Sequence, residues 1–399
     1  MIKRIKKLAV LLAILTLVTG CWNYSELNEL VFILALGLDK EGDQITVTNQ
    51  VINPSALGGE VPLQDAPVAN FQGKGNGIQE ALRKMTTEST RQLFVGHLQV
   101  IVISEKLARE GLGELFDHVI RDHDYGKDFF IVVAKGSEAQ EILEVLTPLE
   151  QIPASKMSTS LNVSSEVWGG TTALMFGDLV GDILSSGKEA VVAGLEIEGN
   201  EEVGKTKENK TRISPPAHLN YSGLAVFKED RLIGWLNENE SRGYNFVQGN
   251  IKSTTVSFPC PNKGDINVEV QKAKEKTEFE LKNGNPQITI TVDVDGAITQ
   301  LGCDIELSNP ESFNKLEKET ETTIKTEIEE VIEKVQSTYQ ADIFGFGSVI
   351  NRANPTYWKN VQDDWDNHFE NLMVKVEVNV TIKHAFRSNK SFLERMKNN

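Results

Sequence analysis

Ile288-Thr289-Ile290-Thr291-Val292-Asp293-Val294-Asp295 alternates apolar and polar residues without a break. Successive side chains of a strand point to opposite faces, so a period of two places the aliphatic residues on one side and the polar ones on the other. The pattern recurs on both sides of this stretch: Ile266, Val268 and Val270 alternate upstream, and Leu372, Val374, Val376, Val378, Val380 and Ile382 alternate downstream. One buried and one wet face is the habit of antiparallel sheets, so the second half of the chain is expected to hold half-buried antiparallel strands. Helices interrupt them. Asn309-Pro310 opens a long one, with Phe313, Leu316, Ile324, Ile328, Val331, Val335 and Tyr339 at helical spacing. Its eight Glu and four Lys between Glu311 and Lys334 read as a solvated face. Gly345 and Gly347 stop that region, Asn354-Pro355 caps another helix, and Trp358, Val361, Trp365 and Phe369 form an apolar stripe that reads as core and not as a ligand box.

The first half has a different texture, in which strands and helices alternate. Leu30 to Leu38 is a nearly continuous apolar run, and Ile45 and Val47 alternate beyond the turn-like Asp39-Lys40-Glu41-Gly42-Asp43. A Gly/Pro-rich stretch from 53 to 77 follows. Then come a helix over 78–89, a strand over 98–103, helices to about Arg121 and a strand over 129–134. Ser137 with Gln140 makes a capping box for a helix reaching Leu146. Residues 199–216 turn polar and charged and end in Pro215-Pro216, which reads as a linker or long loop. Beyond it, 221–236 reads as two short strands around Lys228-Glu229-Asp230. The fold class expected is multi-domain α+β: residues 1–20 a leader, 21–212 a mixed α/β region divisible into two subdomains, and 213–399 an α+β domain of antiparallel sheet plus helices. No internal repeat is visible.

Forty per cent apolar and 25% charged residues exclude wholesale disorder, a collagen-like repeat and a polytopic membrane protein. The net charge is −16, yet Lys3, Arg4, Lys6 and Lys7 stand in the first seven residues with no acid among them. Removal of residues 1–20 leaves a body of −20, which repels phosphate backbones and makes nucleic acid an unsuitable partner. The cationic start, the apolar stretch from Leu8 to Val18 and the small residues after it have the parts of a secretory signal. Thirteen residues from Leu8 to Gly20 make a helix of roughly 20 Å, short of a hydrocarbon layer about 30 Å thick. Val18-Thr19-Gly20-Cys21 resembles the bacterial lipobox, whose cysteine is diacylated and becomes the new N-terminus. Cys21 is therefore the expected anchor, because two acyl chains satisfy the two-signal requirement of stable attachment. Cys260 and Cys303 remain, in a compartment that permits oxidation; they could form one disulfide or stay as two separate buried thiols.

Catalytic signals are absent. His118 and His123 are five residues apart, which puts them on different faces of a helix, unlike the i, i+4 pair of a zinc helix, and they read as structural or solvated. Gly73-Lys74-Gly75-Asn76-Gly77 precedes a helix but lacks the spacing of either nucleotide-binding glycine motif, so it reads as a flexible loop. No G-x-S-x-G, H-E-x-x-H or S-x-x-K acylation set occurs. No enzyme activity, metal or cofactor is expected.

Taken in order, a set of short blocks resembles the Ger(x)C lipoproteins, the C subunits of nutrient germinant receptors in spore-forming Bacillus and Clostridium relatives. They begin with Cys21-Trp22-Asn23-Tyr24-Ser25-Glu26-Leu27 and Leu36-Gly37-Leu38-Asp39, and continue through Gly77 to Leu82, His97-Leu98-Gln99-Val100, Ala225-Val226-Phe227 and Gly234-Trp235-Leu236. The most specific part is Asp342-Ile343-Phe344-Gly345-Phe346-Gly347, then Pro355, Tyr357-Trp358, Trp365-Asp366 and Phe369. Asn23 stands where the family usually has an acid, and His123-Asp124 where it usually reads Arg-Asp-Pro. The resemblance implies a three-domain α+β ectodomain, a palmitate-type lipid anchor on the outer face of the spore inner membrane, and two integral-membrane partners, the A and B subunits. It also implies a role in the response to amino acids, sugars or nucleosides that releases ions and dipicolinate, with no catalysis. The rival reading is a solute-binding lipoprotein of a transporter, which shares lipobox and size but is built from two hinged lobes of parallel βαβ units.

Overall fold

The computed structural model describes Arg4, Lys6 and residues 29–53, 66–260, 264–303, 305, 307 and 309–384. Cys21, Trp22 and, apart from Arg4 and Lys6, the leader lie outside the described residues. Among those described, no helix is long and apolar enough to cross a membrane.

The chain first forms a hairpin of β1 (Leu30–Glu41) and β2 (Gln44–Ile52), turning at Gly42, whose φ of 62° suits glycine. Then follow β3 (Val68–Gly75), α1 (Ile78–Lys84), β4 (Gln92–Phe94), β5 (Val100–Ser104), α2 (Glu105–Glu110) and α3 (Gly113–Arg121). Next come β6 (Phe130–Ala134), α4 (Ala139–Glu144), α5 (Pro153–Val167), α6 (Phe176–Ile183) and β7 (Val191–Gly199). Two short helices, α7 (Glu201–Gly204) and α8 (Glu208–Thr211), lead to β8 (Ala217–Lys228) and β9 (Arg231–Leu236). These strands make one nine-stranded sheet in the order β3-β2-β1-β5-β6-β7-β8-β9, with β4 added beside β1. Its centre, β1-β5-β6-β7, is parallel, and the flanking pairs are antiparallel. Helices cover both faces of that centre, which is why Val-Ile-Val-Ile-Ser and Phe-Ile-Val-Val-Ala are buried at every position.

Several local expectations are corrected. Residues 199–216 are not an open linker: Asn200 caps α7, and β8 pairs back along β7 from Gly199↔Ala217 to Val191↔Val226. The glycines at 73 and 75 sit in β3 and not in a loop, because a Cβ at Gly73 would lie 2.3 Å from the Ala81 carbonyl of α1. The capping box is one residue later than Ser137 and Gln140: Glu138 and Glu141 make it, and α4 stops at Glu144. The reason is Asp39, whose carboxylate accepts from the N–H groups of Ala139 and Gln140 and fixes the first turn.

The second sheet begins after α9 (Glu238–Val247), with β10 (Thr254–Pro259), β11 (Asp265–Lys282) and β12 (Asn285–Leu301) pairing antiparallel. Then α10 (Pro310–Lys334), α11 (Phe346–Ala353), α12 (Pro355–Val361) and α13 (Trp365–Glu370) precede β13 (Met373–His384). Here the sheet departs from an all-antiparallel expectation: β13 pairs parallel to β12, Ile288 opposite Val374 through Val294 opposite Val380. Alternation fixes which face is buried but not direction, and a connection of four helices allows the parallel return that a tight hairpin forbids. Asn309 caps α10 with Pro310 at its first turn, and Asn354 caps α12 in the same way. Cys260 and Cys303 are joined by a disulfide, Cα atoms 6.0 Å apart, beside the start of β11 and the end of β12. The core of this half takes in Val191, Leu224, Val226 and Leu236 from the first sheet, so the two sheets share one apolar boundary.

Candidate functional site at the joint of the two sheets

The motif around Asp342 lies on that boundary. After α10 the chain passes through a π-helical turn, Val335–Tyr339, and leaves it at Gln340, which is left-handed at φ 48°. The Asp342 carboxylate, fully buried, accepts from three consecutive backbone N–H groups, Gly345 at 2.9 Å, Phe346 at 3.1 Å and Gly347 at 2.8 Å, and from the Trp365 indole at 3.1 Å. Consecutive N–H groups around a left-handed residue make a concavity for an anion, and Gly345 at φ 78° supplies that residue. The anion here is the chain's own. Burial pushes the Asp342 carboxyl up to about 6, against the pull of its four donors.

The segment between α6 and β7 meets this motif backbone to backbone. Glu189 N–H donates to the Asp342 carbonyl at 2.8 Å, Ser348 N–H to the Gly187 carbonyl at 3.2 Å, and the Ser185 and Ser348 hydroxyls meet at 3.3 Å. Gly187 and Gly347 make the approach possible. A Cβ on Gly347 would lie 2.7 Å from both the Gly187 Cα and the Trp358 ring. Phe344 stacks on Phe346 at 5.1 Å, Phe346 leans on Phe369 at 6.3 Å, and Trp358 meets Trp365 edge-on at 5.1 Å. A cavity of about 280 Å³ opens beside them, lined by Lys188, Glu189, Asp342, Asp363 and Trp365 among others. Burial pushes the Glu189 carboxyl up to about 7, although it accepts the Glu229 N–H at 2.7 Å. Lys228 closes the rim with Asp366 at 2.7 Å and the Gln340 carbonyl at 3.0 Å.

Two further clamps hold the same boundary. The Tyr339 hydroxyl accepts from Trp235 N–H at 3.0 Å and donates to the Trp235 carbonyl at 2.9 Å, and a Cβ on Gly234 would sit 2.3 Å from that ring. Lys334 reaches the same carbonyl at 3.0 Å and Glu240 at 2.7 Å. Between α9 and α10, Arg242 and Glu327 form a buried bidentate pair, with Nε to Oε2 at 2.9 Å, and Gly243 lets the two helices approach.

The structure thus brings Gly234, Trp235, Phe344, Gly345, Phe346, Gly347, Trp358, Trp365 and Phe369 to one joint. Pro355 is exposed at the first turn of α12. Sequence reasoning missed Gly187, Glu189, Arg242, Glu327 and the part played by Tyr339, since each gains its meaning from a partner 85 or more residues away, as Arg242 does from Glu327. His118 and His123 are not brought together as a ligand pair. His118 packs edge-on against Tyr125 at 5.5 Å, and desolvation lowers its pKa. His123 lies with Asp122 and Asp124 on a turn where its ring comes within 3.4 Å of Asp124. The chemistry of the joint is carboxylate, amide and aromatic, an arrangement that fixes one sheet against the other.

Residues 23–197 match the family described as "Spore germination protein N-terminal domain", and residues 222–385 match "Spore germination B3/GerAC like, C-terminal". The chain is 31% identical to spore germination protein KC of Bacillus subtilis (strain 168), over 95% of this chain and 98% of that protein. It is 24% identical to spore germination protein B3 of the same strain, over 95% and 98%. Its fold is similar to the crystal structure of the GerBC protein, with a TM-score of 0.55 and 20% identity, covering 87% of this chain and 96% of that one.

Proposed function

Because the chain belongs to the Ger(x)C family of spore germination proteins, we propose that it is the lipid-anchored C subunit of a nutrient germinant receptor, held by Cys21 on the outer face of the spore inner membrane. Its partners in this reading are integral-membrane A and B subunits, and it carries no catalysis of its own. The observation that carries the proposal is the end-to-end match to spore germination protein KC, which leaves neither chain with a large unmatched part. The joint supports it: a clamped boundary between two sheets suits a subunit that transmits or braces, whereas a transporter's solute-binding lipoprotein needs a hinge between lobes. The division proposed near 212/213 falls in the interval between the two family matches, which end at 197 and begin at 222, and β8 and β9 beyond it join the first sheet.

Cys21→Ala tests the anchor. The expected outcome is loss of acyl mass on the mature N-terminus, release from spore membranes and weakened nutrient-triggered germination; full membrane retention of that variant would sink it. Co-purification of the A and B subunits from solubilised spore membranes tests the assembly. Titration of candidate nutrients into the isolated ectodomain by calorimetry tests the rival, which micromolar binding of one solute would favour.

A further inference from the structure

Eight residue steps separate Cys21 from Glu29, a leash of at most about 30 Å when fully extended. The strand that follows is longer than the leash: β1 has 12 residues, about 40 Å at the usual rise. A lipid on Cys21 therefore keeps the beginning of β1 near the bilayer. An upright body cannot stand on the opposite end, where Gly42 and Asp43 turn the first hairpin.

The residues at the near end suit that position. Phe32 lies opposite Phe94 where β4 joins β1. Their rings meet edge-on at 6.0 Å, and His97 joins them at 5.0 Å from Phe32 and 6.4 Å from Phe94. Phe32 and Phe94 are half-buried and His97 is exposed, so the cluster leaves apolar ring surface and an imidazole open at this end. Ile52, half-buried at the end of β2, reaches the same end, as does Met175, 39% exposed and bridged to Phe130 at the start of β6. Exposed Arg91 and Lys127, in the segments that enter β4 and β6, add cations beside exposed Glu29 and Asp128. An imidazole with an apolar body and a polar tip belongs at the level of lipid headgroups, and the two phenylalanines beside it add apolar surface that gains from leaving water.

We infer that the end of the nine-stranded sheet where β1 begins rests on the lipid surface, with Phe32, Phe94 and His97 at headgroup depth. This rests on the reading that Cys21 carries lipid. The test uses the full lipidated chain, reconstituted into phosphatidylglycerol and phosphatidylethanolamine vesicles that carry a headgroup-attached nitroxide quencher. A fluorophore is placed on one added cysteine, Gln92→Cys at the near end or Asp43→Cys at the far turn; both native side chains are exposed. The label at 92 is expected to be quenched severalfold more than the label at 43, and His97→Asp in the Gln92→Cys background is expected to reduce that quenching. A chain that floats with the vesicles but shows equal quenching at both sites, or more at 43, overturns the inference alone. A chain that fails to float overturns the lipid reading and the inference with it.

Discussion

Gly347→Ala is the sharpest probe of the joint, because two opposing effects of known size meet at one methyl group. Gly347 lies inside α11, where replacing glycine with alanine in an open position stabilises a helix by about 1 kcal/mol. The added carbon would fall 2.7 Å from Gly187 Cα and 2.7 Å from the Trp358 ring, about 1 Å inside the normal carbon–carbon separation on two sides. Neither neighbour can yield cheaply: Gly187 is held by the Ser348 N–H bond, and Trp358 is 2% exposed against Trp365. Overpacking costs about 1–3 kcal/mol, and a clash with two held neighbours belongs at the upper end, so the net expectation is a loss of about 2 kcal/mol once the propensity gain is subtracted. Urea unfolding of the ectodomain measures it as a lower midpoint at unchanged slope. Gly181→Ala is the control, since nothing lies within 4 Å of its Cβ position in α6 and that substitution is expected to stabilise. Gly187→Ala closes a double-mutant cycle with Gly347→Ala, and a coupling of at least about 0.5 kcal/mol is expected from a shared gap. If Gly347→Ala is as stable as the parent, or the cycle is strictly additive, the backbone contact does not hold the joint.

Three other outcomes follow from the same boundary. Burial raises the Glu189 carboxyl from 4.5 to about 7, against the Glu229 N–H bond and the Lys228 charge, with the Asp366 and Glu229 charges adding to the rise. A raised acid binds more protons folded than unfolded, so its contribution is lost as pH climbs from about 4.5 through about 7; Glu189→Gln should gain thermal stability relative to the parent between pH 5 and about 8, and a pH-independent difference would refute this. Arg242→Met leaves Glu327 buried and unpaired and should cost about 3–5 kcal/mol, most of it recovered in Arg242→Met with Glu327→Leu, as thermal or urea unfolding of both variants would read. Replacing Cys260 and Cys303 with serine reopens a 43-residue separation, worth about 4 kcal/mol in the chain-entropy account, and should lower the unfolding midpoint as much as reduction does.

What the sequence discloses is what depends on neighbours along the chain. Period-two alternation placed β12 and β13, continuous apolar runs placed β1 and β6, and Asn-Pro marked the starts of α10 and α12. The apolar stripe of Trp358, Val361, Trp365 and Phe369 is buried as core, though across α12, a short 3₁₀ turn and α13 and not along one helix. What stayed hidden depends on partners far away in sequence. Nothing near 199–216 announces that β8 returns to pair with β7, and nothing near Ser137 announces that Asp39, about a hundred residues earlier, caps α4. The blocks around Gly234 and Gly345 could be recognised as a pattern, but their reasons are three-dimensional: Tyr339 fills the space over Gly234, and Gly345 takes the left-handed φ of 78° that lets the chain wrap the Asp342 carboxylate.

The acidic face of α10 shows how charge that reads as mere solvation can have a structural use. β13 is the last strand of its sheet, and its outward N–H groups would be an open template for another strand. Glu317 of α10 accepts from the Ile382 N–H at 2.9 Å and Glu321 from the Val380 N–H at 3.3 Å, so two of the eight glutamates cap that edge. The parallel return of β13 makes this possible, because it brings the end of the strand alongside the first turns of α10. A carboxylate satisfies a strand N–H without offering a ladder in return, and its charge repels a second acidic copy of a body that carries −20. Both glutamates are half-buried, and Glu321 pairs with Lys318 at 3.0 Å as well as with the strand; Glu317→Gln with Glu321→Gln would keep the acceptors while removing the charge. Self-association of the double Gln variant at unchanged fold, absent in the parent, is therefore the consequence that separates edge protection from ordinary solvation.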